Sequence, residues 1–138
     1  MKYFRLWIRI SLGVLIDMVS KYFFYNVKYL EDISLIRPTL NTGISWSLPV
    51  PFTIIIAISI VGIVGFIYLY TKQKLGYIAT ILLIWGTIGN LIDRIIYWWV
   101  RDFINIGIFN FPIFNFADIL LSIWAWVWIL QLILEKKK

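Results

Sequence analysis

Four long apolar stretches divide the chain, and more polar connections separate them. The stretches run approximately over residues 7–25, 51–70, 75–97 and 113–134. A helix needs about 20 predominantly apolar residues to cross the hydrocarbon core of a bilayer. The pattern therefore predicts a membrane protein of the mainly α class. We expect a four-helix transmembrane bundle that forms one integral-membrane domain over residues 1–138.

The composition supports this prediction and removes several kinds of chemistry. Hydrophobic residues make up 62% of the chain, charged residues 14%, and the mean hydropathy is +0.87. A soluble domain of this size could not bury that much apolar surface. The chain has neither Cys nor His, which excludes thiol nucleophiles, histidine triads and zinc sites built on these residues. We predict no metal site and no cofactor.

The positive charges predict the orientation of the helices. They lie before the first stretch, between the second and third, and at the carboxyl terminus: Lys2, Arg5, Arg9, Lys72, Lys74, Lys136, Lys137 and Lys138. Because Lys and Arg are enriched on the cytoplasmic side, both termini should be cytoplasmic. The basic residues adjoin apolar runs rather than forming a soluble basic face, so we predict contact with membrane lipids and no nucleic-acid partner.

The connection between the first two stretches, about residues 26–50, should lie on the extracytoplasmic side. It shows a partial alternation of apolar and polar positions through Ile33, Leu35 and Leu40. Alternation of this kind is typical of half-buried strands. We therefore predict a small extracytoplasmic β-like element between spans one and two.

Four carboxylates lie in or beside the predicted spans, and all four fall in the extracytoplasmic half: Asp17, Asp93, Asp102 and Asp118. An ionisable residue at the centre of a membrane helix costs roughly 2.5–3.5 kcal/mol on insertion scales, so such residues favour a functional interpretation. Asp17 and Lys21 are separated by one helical turn, and a structural ion pair is the favoured interpretation for them. The clustering on one side predicts a single shared site.

The remaining carboxylates differ in their sequence surroundings. Asp93 and Arg94 follow Asn90 at helical spacing, and Gly86 and Gly89 would let a neighbouring helix approach closely, so packing and substrate binding are equally supported there.

Asp102 and Asp118 have no basic partner within a turn of their own helix, and they are the better chemical candidates. Two adjacent carboxylates cannot both ionise easily, so one can act as a base and the other as an acid around a bound water. Amide hydrolysis is the reaction that this pair suggests.

Five short motifs, in order along the chain, resemble those of the lipoprotein signal peptidases, also called type II signal peptidases. They are Asp17-Met18-Val19-Ser20-Lys21, Asn41-Thr42-Gly43-Ile44-Ser45-Trp46-Ser47, Gly89-Asn90-Leu91-Ile92-Asp93-Arg94, Val100-Arg101-Asp102-Phe103-Ile104 and Phe114-Asn115-Phe116-Ala117-Asp118. Each motif alone is weakly specific. Their order on four predicted spans is a specific signal.

The resemblance implies an aspartic endopeptidase of the bacterial inner or plasma membrane. It would remove signal peptides from diacylglyceryl-modified prolipoproteins, cutting before the modified Cys near the extracytoplasmic face. We expect the protein to be a monomer. Asp102 and Asp118 match the catalytic pair of the family. The positions that match its binding or supporting residues are Asp17, Lys21, Asn41, Gly43, Asn90, Asp93, Arg94 and Asn115. Arg101 and Trp46 depart from the residues usual in the family.

Two alternatives remain open from the sequence. A small four-span transporter or channel would have the same size and hydrophobicity, but its key carboxylate would be expected nearer the midplane of the membrane. A serine/lysine signal peptidase would use Lys21 as the general base for Ser45 or Ser47.

Overall fold

The computed structural model describes residues 2–26, 35–43, 50–108 and 111–135, and the other residues lie outside this description. Several residues that were named above from the sequence are outside it: Ile33, Ser45, Trp46, Ser47 and the three terminal lysines. Within the described ranges the chain forms four helices and two strands, which are α1 (Lys2–Asn26), β1 (Ile36–Asn41), α2 (Phe52–Thr71), α3 (Tyr77–Tyr97), β2 (Val100–Ile104) and α4 (Phe116–Glu135).

Each predicted apolar stretch is helical, but two helices begin elsewhere than predicted. α1 begins at Lys2, several residues before the apolar run, because charged residues are compatible with a helix that extends beyond it. α4 begins at Phe116 rather than at residue 113. The cause is the backbone of Phe114, whose N–H donates to the carbonyl of Ile104 at 3.1 Å and whose carbonyl accepts from the Ile104 N–H at 2.8 Å. The start of the fourth apolar stretch is therefore part of a β-bridge.

α3 is the central helix, and it packs against α1, α2 and α4. Glycines permit the close approach that the sequence predicted. A Cβ at Gly89 would collide with the carboxylate of Asp17 on α1, and a Cβ at Gly86 would lie 2.9 Å from the carbonyl oxygen of Ala117 on α4. Larger residues at these positions would push the two neighbouring helices away from α3.

The outer surface of the bundle is strongly apolar. α2 consists almost wholly of apolar residues, yet only Ile55 and Tyr70 are buried along it, while Val61 and Val64 are 70% and 61% exposed. Among the described residues, α2 and α3 are long and apolar enough to cross a membrane, whereas α1 carries five charged side chains. An apolar patch of this extent is unfavourable in water and suits contact with lipid.

The interior is apolar at one end and polar at the other. Buried apolar side chains from α1, α2 and α3 fill the first end and comprise Leu6, Ile10, Tyr70, Ile81 and Ile84. With the exception of Thr80 near the amino end of α3, the buried polar side chains lie towards the carboxyl ends of α1 and α3 and the amino end of α4. This polar end also carries the sheet.

The two strands pair in antiparallel orientation, with Ile36 opposite Ile104, Thr39 opposite Asp102, and Asn41 opposite Val100. β1 confirms the predicted extended element between the first two helices. Its partner was not predicted, because β2 follows α3 and contains two charged residues in five. The strand element therefore joins the two connections at the polar end, rather than lying within the first connection alone.

Candidate active site

Asp102 is held on β2, immediately after α3. α3 ends at Tyr97, and the left-handed backbone of the next residue, Trp98 (φ 70°), turns the chain back so that β2 runs beside β1. Val100 and Phe103 are almost completely buried and anchor this strand. The Asp102 side chain is 1% exposed and lies opposite Thr39. A short strand with buried apolar anchors thus carries a carboxylate into the interior.

Asp118 lies in the first turn of α4, and a reciprocal cap fixes it there. The N–H of Asp118 donates to Asn115 Oδ1 at 3.1 Å, and the N–H of Asn115 donates to Asp118 Oδ2 at 3.1 Å. This is a capping box formed by Asn and Asp. The positive end of the helix dipole stabilises a negative charge at this position.

Three asparagine amides connect these two carboxylates. The Nδ2 of Asn115 donates to Asp102 Oδ1 at 2.6 Å, and the Nδ2 of Asn41 donates to Asp102 Oδ2 at 2.9 Å. The Nδ2 of Asn90 donates to Asp118 Oδ1 at 2.8 Å. With the backbone N–H of Asn115 on Asp118 Oδ2, each of the four carboxylate oxygens accepts a hydrogen bond. The carboxylates are therefore held in fixed orientations.

The orientation of each amide is fixed in turn, because its carbonyl oxygen accepts from a group that can only donate. Asn41 Oδ1 accepts from the N–H of Gly43 at 3.0 Å, and Asn115 Oδ1 accepts from the N–H of Asp118. Asn90 Oδ1 accepts from the ammonium of Lys21 at 2.9 Å and from Asn115 Nδ2 at 3.1 Å. Each amide must then turn its NH₂ group towards a carboxylate.

A buried ion network lies beneath the carboxylates. The Nζ of Lys21 is 2.8 Å from Asp17 Oδ2 and 3.6 Å from Asp93 Oδ2. The Nη2 of Arg101 is 2.7 Å from Asp93 Oδ1, and the backbone N–H of Arg101 donates to Asp93 Oδ2 at 3.0 Å. The predicted pair between Asp17 and Lys21 is present. Lys21 also contacts Asn90 on α3, so this pair does more than neutralise charge within α1.

Arg101 was absent from the predicted site residues. Its charge is adjacent in sequence to Asp102, yet its guanidinium contacts Asp93 on α3 and lies over the Tyr97 ring at 4.7 Å. Asp93 and Arg101 are eight residues apart, on a helix and a strand, so no helical spacing relates them. The departure from the usual family residue was the one signal of a special role. The contact fastens β2, and with it Asp102, to α3.

Arg94 supplies a positive charge on the other side of α3. Its guanidinium donates to the carbonyl oxygen of Gly43 at 3.0 Å, and it lines the cavity that Asp118 also lines. It points away from its sequence neighbour Asp93, because consecutive helical residues diverge by about 100°. All ten residues selected from the sequence therefore belong to one connected network.

The protonation of Asp102 follows from its position. Burial, together with the negative charge of Asp118, raises the pKa of Asp102 from its usual 3.8 to about 7. The amide hydrogen bonds from Asn41 and Asn115 lower it by less than burial raises it. Near neutral pH this carboxyl can therefore hold a proton, which a hydrolytic pair requires of one member.

Two cavities meet at the carboxylates. One, of about 460 Å³, lies between α2, α3 and α4 and is mostly apolar, with Asp118 and Arg94 among its lining residues. The other, of about 500 Å³, lies beside the sheet and is lined by Asp102 and more polar residues. Asn41 lines both. An elongated chain could thus pass from one cavity to the other across the pair.

Comparisons with known proteins identify the family of this chain. A family profile described as signal peptidase (SPase) II matches residues 9–134. The chain belongs to the signal peptidase II family. The lipoprotein signal peptidase of Bacillus subtilis (strain 168) is 35% identical over 120 residues, which cover 82% of this chain and 78% of that protein. The lipoprotein signal peptidase of Thermodesulfovibrio yellowstonii is 35% identical over 137 residues, covering 89% and 90%.

Solved structures indicate where a protein of this fold is located. Two structures described as bacterial membrane enzymes match with TM-scores of 0.80 and 0.77 at 28% and 29% identity. The first match covers 96% of this chain and 89% of the other, and the second covers 93% and 92%. The chain is thus a membrane-integral bacterial protein.

The family resemblance drawn from five motifs is confirmed. The chain is a peptidase that cleaves lipoprotein signal peptides, which selects a peptidase over the transporter or channel alternative. For the serine/lysine alternative, Ser45 and Ser47 lie outside the described residues, and Ser20 donates its hydroxyl hydrogen to the Asp17 carbonyl of its own helix at 2.8 Å.

Proposed function

We propose that this peptidase is an intramembrane aspartic endopeptidase that cuts diacylglyceryl-modified prolipoproteins directly before the modified Cys, with Asp102 and Asp118 as the catalytic pair. The observation that carries the proposal is the orientation of both carboxylates by one set of amides, at the meeting point of an apolar and a polar cavity. General acid–base hydrolysis needs two such carboxyl groups, and one of them must hold a proton.

The two carboxyl groups have different roles in this proposal. Asp118, in the first turn of α4, is the base, because its carboxylate lies at the positive end of the helix dipole. Asp102 holds the proton, because its pKa is raised to about 7. This assignment gives each carboxyl the protonation state that its step needs at neutral pH.

Water is the nucleophile. Asp118 takes a proton from the water as the water oxygen bonds to the scissile carbonyl carbon, while Asp102 donates its proton to the carbonyl oxygen. In the second step the proton on Asp118 passes to the leaving nitrogen, the C–N bond breaks, and Asp102 recovers its proton as the new carboxyl group forms. The products are the signal peptide with a free carboxyl group and the lipoprotein with a free amine.

The remaining site residues position these groups. Asn41, Asn90 and Asn115 orient the carboxylates, and the charged network of Asp17, Lys21 and Asp93 supports Asn90 from below. Arg94 holds the Gly43 carbonyl and lies in the wall of the apolar cavity, where it can contact the substrate backbone.

The apolar cavity suits the hydrophobic part of a signal peptide and the acyl chains beside it. We propose that the chain is one domain of four spans with both termini cytoplasmic. The carboxyl ends of α1 and α3, the amino end of α4 and the sheet would then lie at the extracytoplasmic end, opposite Lys72 and Lys74.

The test is incubation of the purified protein with a diacylglyceryl-modified lipobox peptide and with its unlipidated twin. We expect cleavage of the lipidated peptide alone, with the new amine on the modified Cys. Equal cleavage of both peptides would contradict recognition of the lipid. A new amine at any other residue would contradict the proposed cleavage position.

A further inference from the structure

Apart from Asp102 and Asn41, the residues that line the polar cavity beside the sheet have no part in the hydrolytic steps. Its walls come from β1, from Asp102, and from the segment after β2, and its lining residues are Arg37, Thr39, Asn41, Asp102, Asn105, Gly107, Ile108, Phe111, Pro112 and Ile113. At about 500 Å³ it is large enough for two or three amino-acid residues. It includes the proposed acid in its lining, and it shares the wall formed by residues 111–113 with the apolar cavity.

β1 places three polar side chains along this cavity. Asn41, Thr39 and Arg37 are spaced two residues apart, and all three line it. Asn41 donates to Asp102, Thr39 lies opposite Asp102 in the sheet, and Arg37 lies further along the strand. At about 3.3 Å per residue, Arg37 is roughly 7 Å beyond Thr39, within the part of β1 whose register against β2 is irregular. The Thr39 hydroxyl donates to the Arg37 carbonyl at 3.1 Å, which ties this part of the strand together.

Arg37 gives the outer part of this cavity a positive charge. Its side chain is exposed, while Asp102, the carboxylate in the same lining, is 1% exposed. A ligand entering from outside would therefore meet the guanidinium before it meets the buried carboxyl group.

The direction of the substrate follows from the two cavities. If the membrane part of the signal peptide occupies the apolar cavity on the Asp118 side, the chain after the scissile bond continues on the Asp102 side. An extended chain of two residues spans about 7 Å, which is the distance from the region of Asp102 and Thr39 to Arg37. The residues after the modified Cys would then lie beside the guanidinium.

We propose that the polar cavity is a subsite for the first residues of the mature lipoprotein, and that Arg37 selects an acidic side chain at the second or third mature position. This inference rests on the proposed function, because it takes its substrate direction from the cleavage site. The Arg37 guanidinium can form an ion pair with a carboxylate there, and it repels a lysine.

The experiment compares lipidated lipobox peptides that differ at mature positions two and three, with Asp in one peptide and Lys in the other. For the unaltered protein we expect kcat/KM to favour the Asp peptide about two- to fivefold, the range of an exposed ion pair. Arg37→Gln should bring the ratio near one, and Arg37→Glu should reverse it. The change should lie in KM, since the contact is remote from the reacting atoms, and it should weaken at high salt.

The matched control is Lys74→Glu, an exposed charge reversal in the connection between α2 and α3, at the opposite end of α3. It should leave the ratio unchanged. A second control moves the Asp/Lys pair to mature position six, where the preference should disappear.

Three outcomes separate the possible failures. If the unaltered protein cleaves both peptides and Arg37→Glu leaves their ratio unchanged, the subsite is wrong and the proposed function stands. If neither lipidated peptide is cleaved, the proposed function fails as well. If Lys74→Glu shifts the ratio as much as Arg37→Glu, the effect comes from net charge, which contradicts a local subsite.

Discussion

Replacing Lys21 by Met tests whether the buried ion network supports catalysis or only the fold. Met retains most of the volume of the lysine stem but removes the ammonium, which contacts Asp17 at 2.8 Å and Asn90 at 2.9 Å. Both Lys21 and Asp17 are completely buried. Removing one partner of such a pair leaves an uncompensated buried charge and costs about 3–5 kcal/mol. We expect the free energy of unfolding in detergent to fall by this amount.

A second substitution separates the effect on stability from the effect on catalysis. Asp17→Asn in the Lys21→Met background removes the uncompensated charge, while Asp93 keeps its ion pair with Arg101 at 2.7 Å. The double variant should therefore recover most of the lost stability. Its Asn90 Oδ1 lacks the hydrogen bond from the lysine ammonium and keeps the one from Asn115 Nδ2 at 3.1 Å, so the Asn90 amide is held less firmly towards Asp118. The loss of a charged hydrogen bond of about 1.5–3 kcal/mol would lower kcat/KM by roughly 10- to 150-fold.

The assay pairs equilibrium unfolding in detergent with cleavage of a lipidated peptide, and Lys74→Met is the exposed control. Recovery of both stability and kcat/KM in the double variant would refute the positioning role of Lys21. An unchanged free energy of unfolding in the single variant would contradict the expected cost of an unpaired buried charge.

Three further perturbations test separate parts of the structure. Gly89→Ala should destabilise the protein by about 1–3 kcal/mol, because its Cβ collides with a buried carboxylate on α1, whereas Gly65→Ala, with open space, should be neutral or slightly stabilising in thermal unfolding. Cysteine at Asn105 should react with an impermeant thiol reagent from outside intact cells, and cysteine at Gln73 should not. Because the pKa of Asp102 is raised to about 7, kcat/KM should fall as the pH rises above about 7 and the shared proton is lost.

Each of these predictions has a clear contrary result. Equal thermal stabilities for the two glycine variants would contradict the close contact between α1 and α3. Labelling of Gln73→Cys alone would reverse the proposed orientation. A rate that keeps rising from pH 7 to pH 9 would exclude a protonated Asp102 as the acid.

The helices could be predicted from the sequence because each depends on local information. The length of an apolar stretch predicts a membrane-spanning helix, and the spacing of Asp17 and Lys21 predicts the ion pair between them. Gly86 and Gly89 likewise indicated close helix packing, and both make it. These features need only a few neighbouring positions.

The sheet and the start of α4 could not be predicted in the same way. β2 is five residues long, carries Arg101 and Asp102, and pairs with a strand about sixty positions earlier, so no periodicity in either connection specifies the register. The bridge between Ile104 and Phe114 delays α4 for the same reason. Pairing between distant segments is a property of the fold as a whole.

The sequence predicted which residues form the site, but not how their side chains hold one another in place. The motifs supplied the residues, but no spacing shows that three amides are held by Lys21, Gly43 and the α4 cap, each turning its NH₂ group to a carboxylate. The contact between Arg101 and Asp93 was likewise invisible, because a helix and a strand meet there. Such relations depend on side-chain directions that a linear pattern does not contain.

The most direct test of the proposed mechanism is the cleavage rate of Asp102→Asn and Asp118→Asn with a lipidated lipobox peptide, measured in preparations free of the unaltered enzyme. Asn keeps the shape of the carboxyl group but can neither accept the proton from water nor hold one for the carbonyl oxygen. Each single variant should remain folded, bind the peptide and lose cleavage, and the double variant should be little worse than either because the pair acts as a unit. Substantial turnover by either single variant would contradict the catalytic pair.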